Sequence, residues 1–216
     1  MIQLGDNPWL LILLSLLEIL FPLIPAIISS QISKTSIKHE LHQIGIKINL
    51  NNFPNKLLKG VEGVIIGIGL LILSPLILYF FQDLILTTVF NEEFVIEGIE
   101  NRISTQIINP NLLQVFIYVL IQFFIIGPCE ESFFRGFIIT KLKNKMHLTY
   151  AIIISSLSFA FFHVPPFLVP ISTIISFFGY YFTIGVILSL VFIFFNFSLI
   201  PNSLAHSMFN FLILIL

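Results

Sequence analysis

Three ionisable residues, Glu130, Glu131 and Arg135, fall within six positions of an otherwise apolar stretch that reads Phe124-Ile125-Ile126-Gly127-Pro128-Cys129-Glu130-Glu131-Ser132-Phe133-Phe134-Arg135-Gly136. Each such group near a bilayer centre costs at least ~2.5 kcal/mol, so chemistry or an ion pathway is the usual reason to keep one. Glu131 and Arg135 are spaced i, i+4 and share a helix face, where an ion pair lowers the cost of both. Glu130 lies about 100° further round the helix. It cannot easily join that pair, which makes it the candidate general base. The alternative is a protonated, hydrogen-bonded Glu130. Two more polar positions lie downstream. His163 ends an apolar run before Pro165-Pro166, as a functional or an interfacial histidine. His206 and Asn210 are again i, i+4, pointing to a shared ligand or to an interhelical hydrogen bond.

The elements that must position these residues are membrane helices. The 216-residue chain is 57% hydrophobic and only 10% charged, against about 25% charged in soluble domains, and its mean hydropathy is +1.03. Apolar runs cover approximately 8–29, 60–81, 112–128 continuing into 129–146, 149–164, 171–195 and 200–216. The fold class is therefore all-α, a polytopic transmembrane helical bundle of about six spans. The Gly127-Pro128 break reads as a kink within one long span in preference to a re-entrant hairpin, because no polar loop separates its halves. The first run lacks a basic leader and a clean small-residue cleavage site, so it reads as a retained helix. A net charge of −1 argues against nucleic acid as a partner. The one cysteine, Cys129, excludes an intrachain disulfide and a cysteine-based zinc cluster.

Charge sets the orientation. Segment 31–59 carries Lys34, Lys38, Lys47, Lys56 and Lys59, and segment 141–147 carries Lys141, Lys143 and Lys145. Segment 82–111 carries Asp83, Glu92, Glu93, Glu97 and Glu100 against Arg102. The positive-inside bias puts the two lysine segments on the cytoplasmic side. Glu130 then lies roughly 16 Å along its helix from Lys141, His163 ~24 Å from His147, and His206 about 10 Å inside a span beginning near Leu199. All three fall within the membrane and can meet in one polar cavity, expected to open toward the cytoplasm.

The motifs Glu130-Glu131-x-x-x-Arg135, Phe159-x-x-x-His163 and His206-x-x-x-Asn210, with Phe134-Arg135-Gly136, resemble the CPBP (Abi) family of CAAX proteases and bacteriocin-processing enzymes, which includes the type II CAAX prenyl endopeptidases. The resemblance covers 112–216, a catalytic core preceded by helices and loops over 1–111 with no matched motif, the whole forming one integrated membrane domain. It implies an intramembrane endopeptidase acting on membrane-associated or prenylated polypeptides. It implies catalytic roles for Glu130, His163, His206 and Asn210: Glu130 activates a water that His163 helps to hold, and His206 and Asn210 stabilise the oxyanion. Glu131 and Arg135 hold the site in place. Glu130, His163 and His206 also make up a catalytic zinc set of one carboxylate and two imidazoles, so a divalent metal such as zinc is open beside a metal-free glutamate mechanism.

The competing readings are a non-catalytic membrane scaffold or immunity protein, and a proton-coupled transporter. A transporter is expected to show paired broken helices, and one Gly-Pro break has no counterpart. Cys129 reads as a small buried thiol. Segment 82–111 reads as an amphipathic surface helix or a loop, Pro22 and Pro25 as sites that bend or end the first helix, and His39 and His42 as solvated. Glu18 sits mid-span with no partner apparent, facing the bundle or protonated.

Overall fold

The computed structural model describes residues 2–46, 53–106 and 109–215; Lys47 lies outside them. Among the described residues eight helices make up the bundle: α1 (Pro8–Ser33), α2 (Ile37–Gln43), α3 (Pro54–Val89), α4 (Glu92–Glu100), α5 (Leu112–Leu142), α6 (Leu148–His163), α7 (Ile171–Phe194) and α8 (Leu199–Ile215). A two-residue parallel pairing joins β1 (Ile2–Gln3) to β2 (Ile103–Ser104). Among the described residues α1, α3, α5 and α7 are long and apolar enough to cross a membrane. The other two apolar helices, α6 and α8, have 16 and 17 residues, a little under the ~20 of a full span.

Local chemistry sets the ends. Asn7 caps α1, its side-chain oxygen accepting from the N–H groups of Trp9 at 3.1 Å and Leu10 at 3.2 Å, with Pro8 in the first turn. The helix tightens at Leu17–Ile19 and continues through both prolines. It stops at Lys34, which adopts the left-handed conformation (φ 54°). Pro22 falls in the turn after the tightened stretch, so its missing N–H interrupts little. Asn111 and Gln114 form a reciprocal cap on α5. Segment 82–111 does not form a free loop or a separate surface helix throughout. Residues up to Val89 extend α3, and α4 docks on α7, where Thr173 Oγ1 donates to the Gly98 carbonyl at 2.9 Å.

α5 passes through Gly127-Pro128 as one continuous helix. Its turns widen to π geometry at Gln122–Ile126 and again at Ser132–Ile139. Such bulges absorb an extra residue and cluster at functional sites. The first also places Pro128 at the start of a fresh helical turn, where the absent donor is tolerated. A Cβ at Gly127 would collide with Ser207 Oγ, so α8 lies directly against the break, and Ser207 donates to the Gln122 carbonyl at 2.9 Å. α3 packs on α8 through Gly63 and Gly67. A Cβ on Gly63 would lie 2.5 Å from the Pro201 carbonyl oxygen, and one on Gly67 2.5 Å from that of Ala205. This is the small-residue packing that membrane helices use in place of hydrophobic collapse. Phe134, Phe159, Ile184, Leu188 and Ala205 fill the centre.

The two lysine segments meet at one end of the bundle. Lys141 Nζ lies 2.9 Å from Glu40 Oε2, and Ser29 and Thr35 each donate to the same carboxylate at 2.7 Å. His39 and His42, on the other faces of α2, are exposed as expected. Hydrogen bonds from Ser29, Thr35 and Lys141 pull the Glu40 carboxyl down to about 2 from its usual 4.5. A carboxyl lowered on folding stabilises the fold above its unfolded pKa, and that contribution is lost as pH falls through the folded value. The melting-temperature difference between wild type and Glu40→Gln is therefore expected to be full above about pH 4.5 and to vanish by about pH 2. A difference that does not change over that window would contradict the assignment.

Candidate active site

Three helices bring the sequence-predicted residues together. Glu130 and Glu131 come from the turn of α5 between its two bulges, His163 from the last turn of α6, and His206 and Asn210 from α8. The Glu131–Arg135 pair is present at 2.7 Å with both side chains fully buried. Its surroundings explain how it is tolerated. Glu131 Oε1 also accepts from His206 Nδ1 at 2.8 Å, and Oε2 accepts from Asn202 Nδ2 at 2.6 Å. Arg135 donates a second bond to the Gly185 carbonyl on α7 at 3.0 Å, and its guanidinium lies 4.6 Å over the Phe159 ring. A buried carboxylate and a buried guanidinium need other hydrogen bonds to take up their remaining capacity; here α7 and α8 supply them, and the Arg135 Nε–H alone of the guanidinium nitrogens is left without a partner among the described residues.

Glu130 is held differently. Its carboxylate is buried, and Oε2 has no hydrogen-bond partner among the described residues. His206 Nε2 lies 3.9 Å and His163 Nε2 4.0 Å from that oxygen. Both distances are too long for hydrogen bonds. The second nitrogen of each ring settles the tautomer. His163 Nδ1 lies 2.9 Å from the Phe159 carbonyl oxygen, which can only accept. His206 Nδ1 lies 2.8 Å from the Glu131 carboxylate. Each Nδ1 therefore carries a proton, which leaves each Nε2 free of protein partners beside Glu130, with a lone pair to offer in the neutral form of the ring. In that form three lone-pair donors face one another, their ligand atoms all within 4.8 Å. Such a cluster suits a divalent cation, or a water that donates its two hydrogens.

The cluster opens on a cavity of about 570 Å³. Asn210 lines it, one helical turn beyond His206, and so does Glu18 from α1. The far wall includes Leu4 and residues Arg102 to Gln106, at the end of the bundle where α5 begins. The opening toward the lysine-bearing end that the charge pattern led us to expect is not shown. Among the described residues no lysine lines the cavity. At that end Ile44 is buried and its backbone lies so close to Gly136 that a Cβ would not fit.

Two groups escaped the sequence reading. Asn202 stands one turn before His206, completing an Asn202-x-x-x-His206-x-x-x-Asn210 series whose spacing of four was there to be seen. Tyr181 packs on His163 with ring centroids 4.6 Å apart; a Tyr180-Tyr181 pair in an apolar helix carries no signal of that contact. Phe159, one turn before His163, is the aromatic floor, with its ring 4.3 Å from that of His163 and 5.7 Å from that of His206. Cys129 is buried, faces none of these groups through a hydrogen bond, and takes no part in the cluster.

Comparison with curated proteins and with solved structures returned no significant match. A family model described as type II CAAX prenyl endopeptidase Rce1-like matches residues 112–212, slightly under half of the chain. Through this segment, which holds every motif residue from Glu130 to Asn210, the chain matches the family that its glutamate, histidine and asparagine motifs resemble: the Rce1-like type II CAAX prenyl endopeptidases.

Proposed function

We propose that the protein is an intramembrane endopeptidase that hydrolyses a membrane-associated polypeptide, prenylated CAAX proteins being the substrate class that the family match favours. One observation carries the reading: the unpartnered Glu130 carboxylate oxygen faces two imidazole Nε2 atoms at 3.9 and 4.0 Å on the wall of a cavity within the bundle.

A water among these three atoms donates one hydrogen to Glu130 and the other to His163 Nε2. Glu130 takes its proton as the water oxygen attacks the scissile carbonyl carbon, and the carbonyl π electrons move onto its oxygen. The Asn210 amide is a neutral N–H donor for that oxyanion. His206 donates from Nε2 only when doubly protonated, with Glu131 as the counter-charge at its Nδ1. As the oxyanion collapses the C–N bond breaks, and Glu130 returns its proton to the departing amine. A general base of this kind is worth roughly 10²–10⁴-fold. Donors aimed at the oxyanion add roughly 10²–10³-fold each, more in a water-poor cavity than in solvent. Glu130, His163 and His206 also fit a divalent cation: the orphaned carboxylate oxygen and two free imidazole lone pairs form a two-histidine, one-carboxylate set with a position left for water. A zinc ion bound there supplies Lewis-acid polarisation.

The test is proteolysis by the purified protein in liposomes, read by mass spectrometry, on a farnesylated CAAX peptide and on unprenylated membrane-segment peptides. Cleavage of the farnesylated peptide is expected. Loss of that cleavage with a chelator and its return with zinc would assign the cation; activity unchanged by the chelator would assign the metal-free path. A folded protein that cuts no member of the panel would overturn the endopeptidase reading.

A further inference from the structure

Glu18 is a carboxylate inside a membrane span that the proposed chemistry does not use. It belongs to α1, outside the family-matched segment, and sits in the tightened turn Leu17–Ile19. This turn packs against the part of α5 that runs from Gln122 to Glu131. Its side chain lines the same cavity as Glu130, His163 and His206. Its Oε2 is buried without a hydrogen-bond partner among the described residues. The other interior carboxylate that is fully committed, Glu131, has Arg135, His206 and Asn202. Glu18 has no such company. Arg135 spends its guanidinium on Glu131 and the Gly185 carbonyl. Arg102, which does line the cavity, forms no ion pair with it among the described residues.

A carboxyl kept in a membrane span without a partner is costly, and the cavity is the route by which a partner arrives. Glu18 and Glu130 each present the cavity with a carboxyl whose Oε2 has no hydrogen-bond partner among the described residues, and an incoming cation favours the charged form of such a group. The wall around Glu18 carries apolar Leu11, Leu14 and Ile126 together with polar Ser15, Tyr118 and Gln122, and a lysine or arginine stem packs along its apolar part while the head reaches the carboxyl. A neutral peptide N–H satisfies the same oxygen with a bond about half as strong.

We infer that Glu18 is a specificity-determining residue that binds a lysine or arginine side chain of the polypeptide occupying the cavity. The inference rests on the endopeptidase reading, because it takes the occupant to be a peptide.

The test is binding, measured apart from cleavage. Fluorescent apolar peptides carrying one lysine, scanned along the sequence, are titrated into the Glu130→Gln protein in detergent, which keeps them uncut. Norleucine replaces the lysine in the control series. At one position of the scan the lysine peptide is expected to bind about tenfold tighter, the scale of a charge-assisted hydrogen bond in a protein interior. Adding Glu18→Gln, which keeps the shape and removes the charge, is expected to cut the preference below about twofold while norleucine peptides bind as before. Equal binding of both series to the Glu130→Gln protein, binding of neither, or a lysine preference that survives Glu18→Gln would overturn the inference. The liposome proteolysis is scored separately. Cleavage without a Glu18-dependent preference sinks this inference and leaves the endopeptidase reading standing. A Glu18-dependent preference without cleavage does the reverse.

Discussion

Glu130→Gln is expected to lower kcat/KM for peptide cleavage by about 10³-fold or more while leaving the thermal unfolding of the detergent-solubilised protein within about 1 kcal/mol of wild type. The substitution keeps the size of the side chain and removes the group that takes the water's proton. Little else is disturbed, because Oε2 has no hydrogen-bond partner among the described residues to lose and the two histidines stay anchored through their Nδ1 atoms, one to the Phe159 carbonyl and one to Glu131. The glutamine amide also meets two imidazole lone pairs with its N–H groups, an accommodation that favours the folded protein. Initial rates of cleavage at substrate well below KM check the kinetic half and a detergent melt checks the structural half. Wild-type rates in Glu130→Gln would remove Glu130 from the reaction altogether.

Glu131→Ala has the opposite signature. It is expected to destabilise the protein by about 3–5 kcal/mol, the usual cost of breaking a buried ion pair from one side, and activity is expected to fall with it. The deletion strands a fully buried Arg135 and frees the His206 ring from the bond that sets its tautomer. Asn202 loses its carboxylate partner and keeps only the Leu188 carbonyl at 3.0 Å. The double variant Glu131→Gln with Arg135→Met is expected to unfold at a higher temperature than Glu131→Ala, because no uncompensated charge remains inside, and yet to stay inactive because the ring is no longer held. Equal stability of Glu131→Ala and wild type would show that the pair contributes nothing to the fold. Recovery of activity in the double variant would show that the carboxylate does not position His206.

What could be read in the sequence divides along a physical line. Glu131 with Arg135 was legible because both partners lie one turn apart on the same helix, where spacing alone decides contact. The meeting of the lysine segments at one end followed from counting spans and charges, although Glu40, the acid that joins α2 to Lys141, gave no warning among so many lysines. The partners of Glu131 on α8 were not legible, since no periodicity within α5 says which helix lies beside it. The two π bulges were equally hidden: residues 122–126 and 132–139 have no composition that sets them apart from ordinary helix. They change the angular phase of everything after them, so an ideal helical wheel drawn through α5 misplaces side chains beyond each bulge. Glu18 was visible as an anomaly, but its position on the wall of the Glu130 cavity depends on how α1 crosses α5. The cytoplasmic mouth expected from the charge pattern is not shown, for a similar reason. Charge counts order the ends of a bundle and say nothing about how closely each is packed, as Ile44 is against Gly136.

The dependence of Glu131 on α8 has a consequence for how the protein is made. A ribosome emits Glu131 71 residues before Asn202 and 75 before His206, so α5 reaches the bilayer while two of the three side chains that satisfy its carboxylate do not yet exist. During that interval Arg135, four residues away, is the one lasting partner that travels with it. The local pair thus shields α5 during insertion, and the cross-helix bonds close over it only when the last helix arrives. A chain truncated before α8 is then held in the membrane with its charges half satisfied, a state that membrane quality control can recognise.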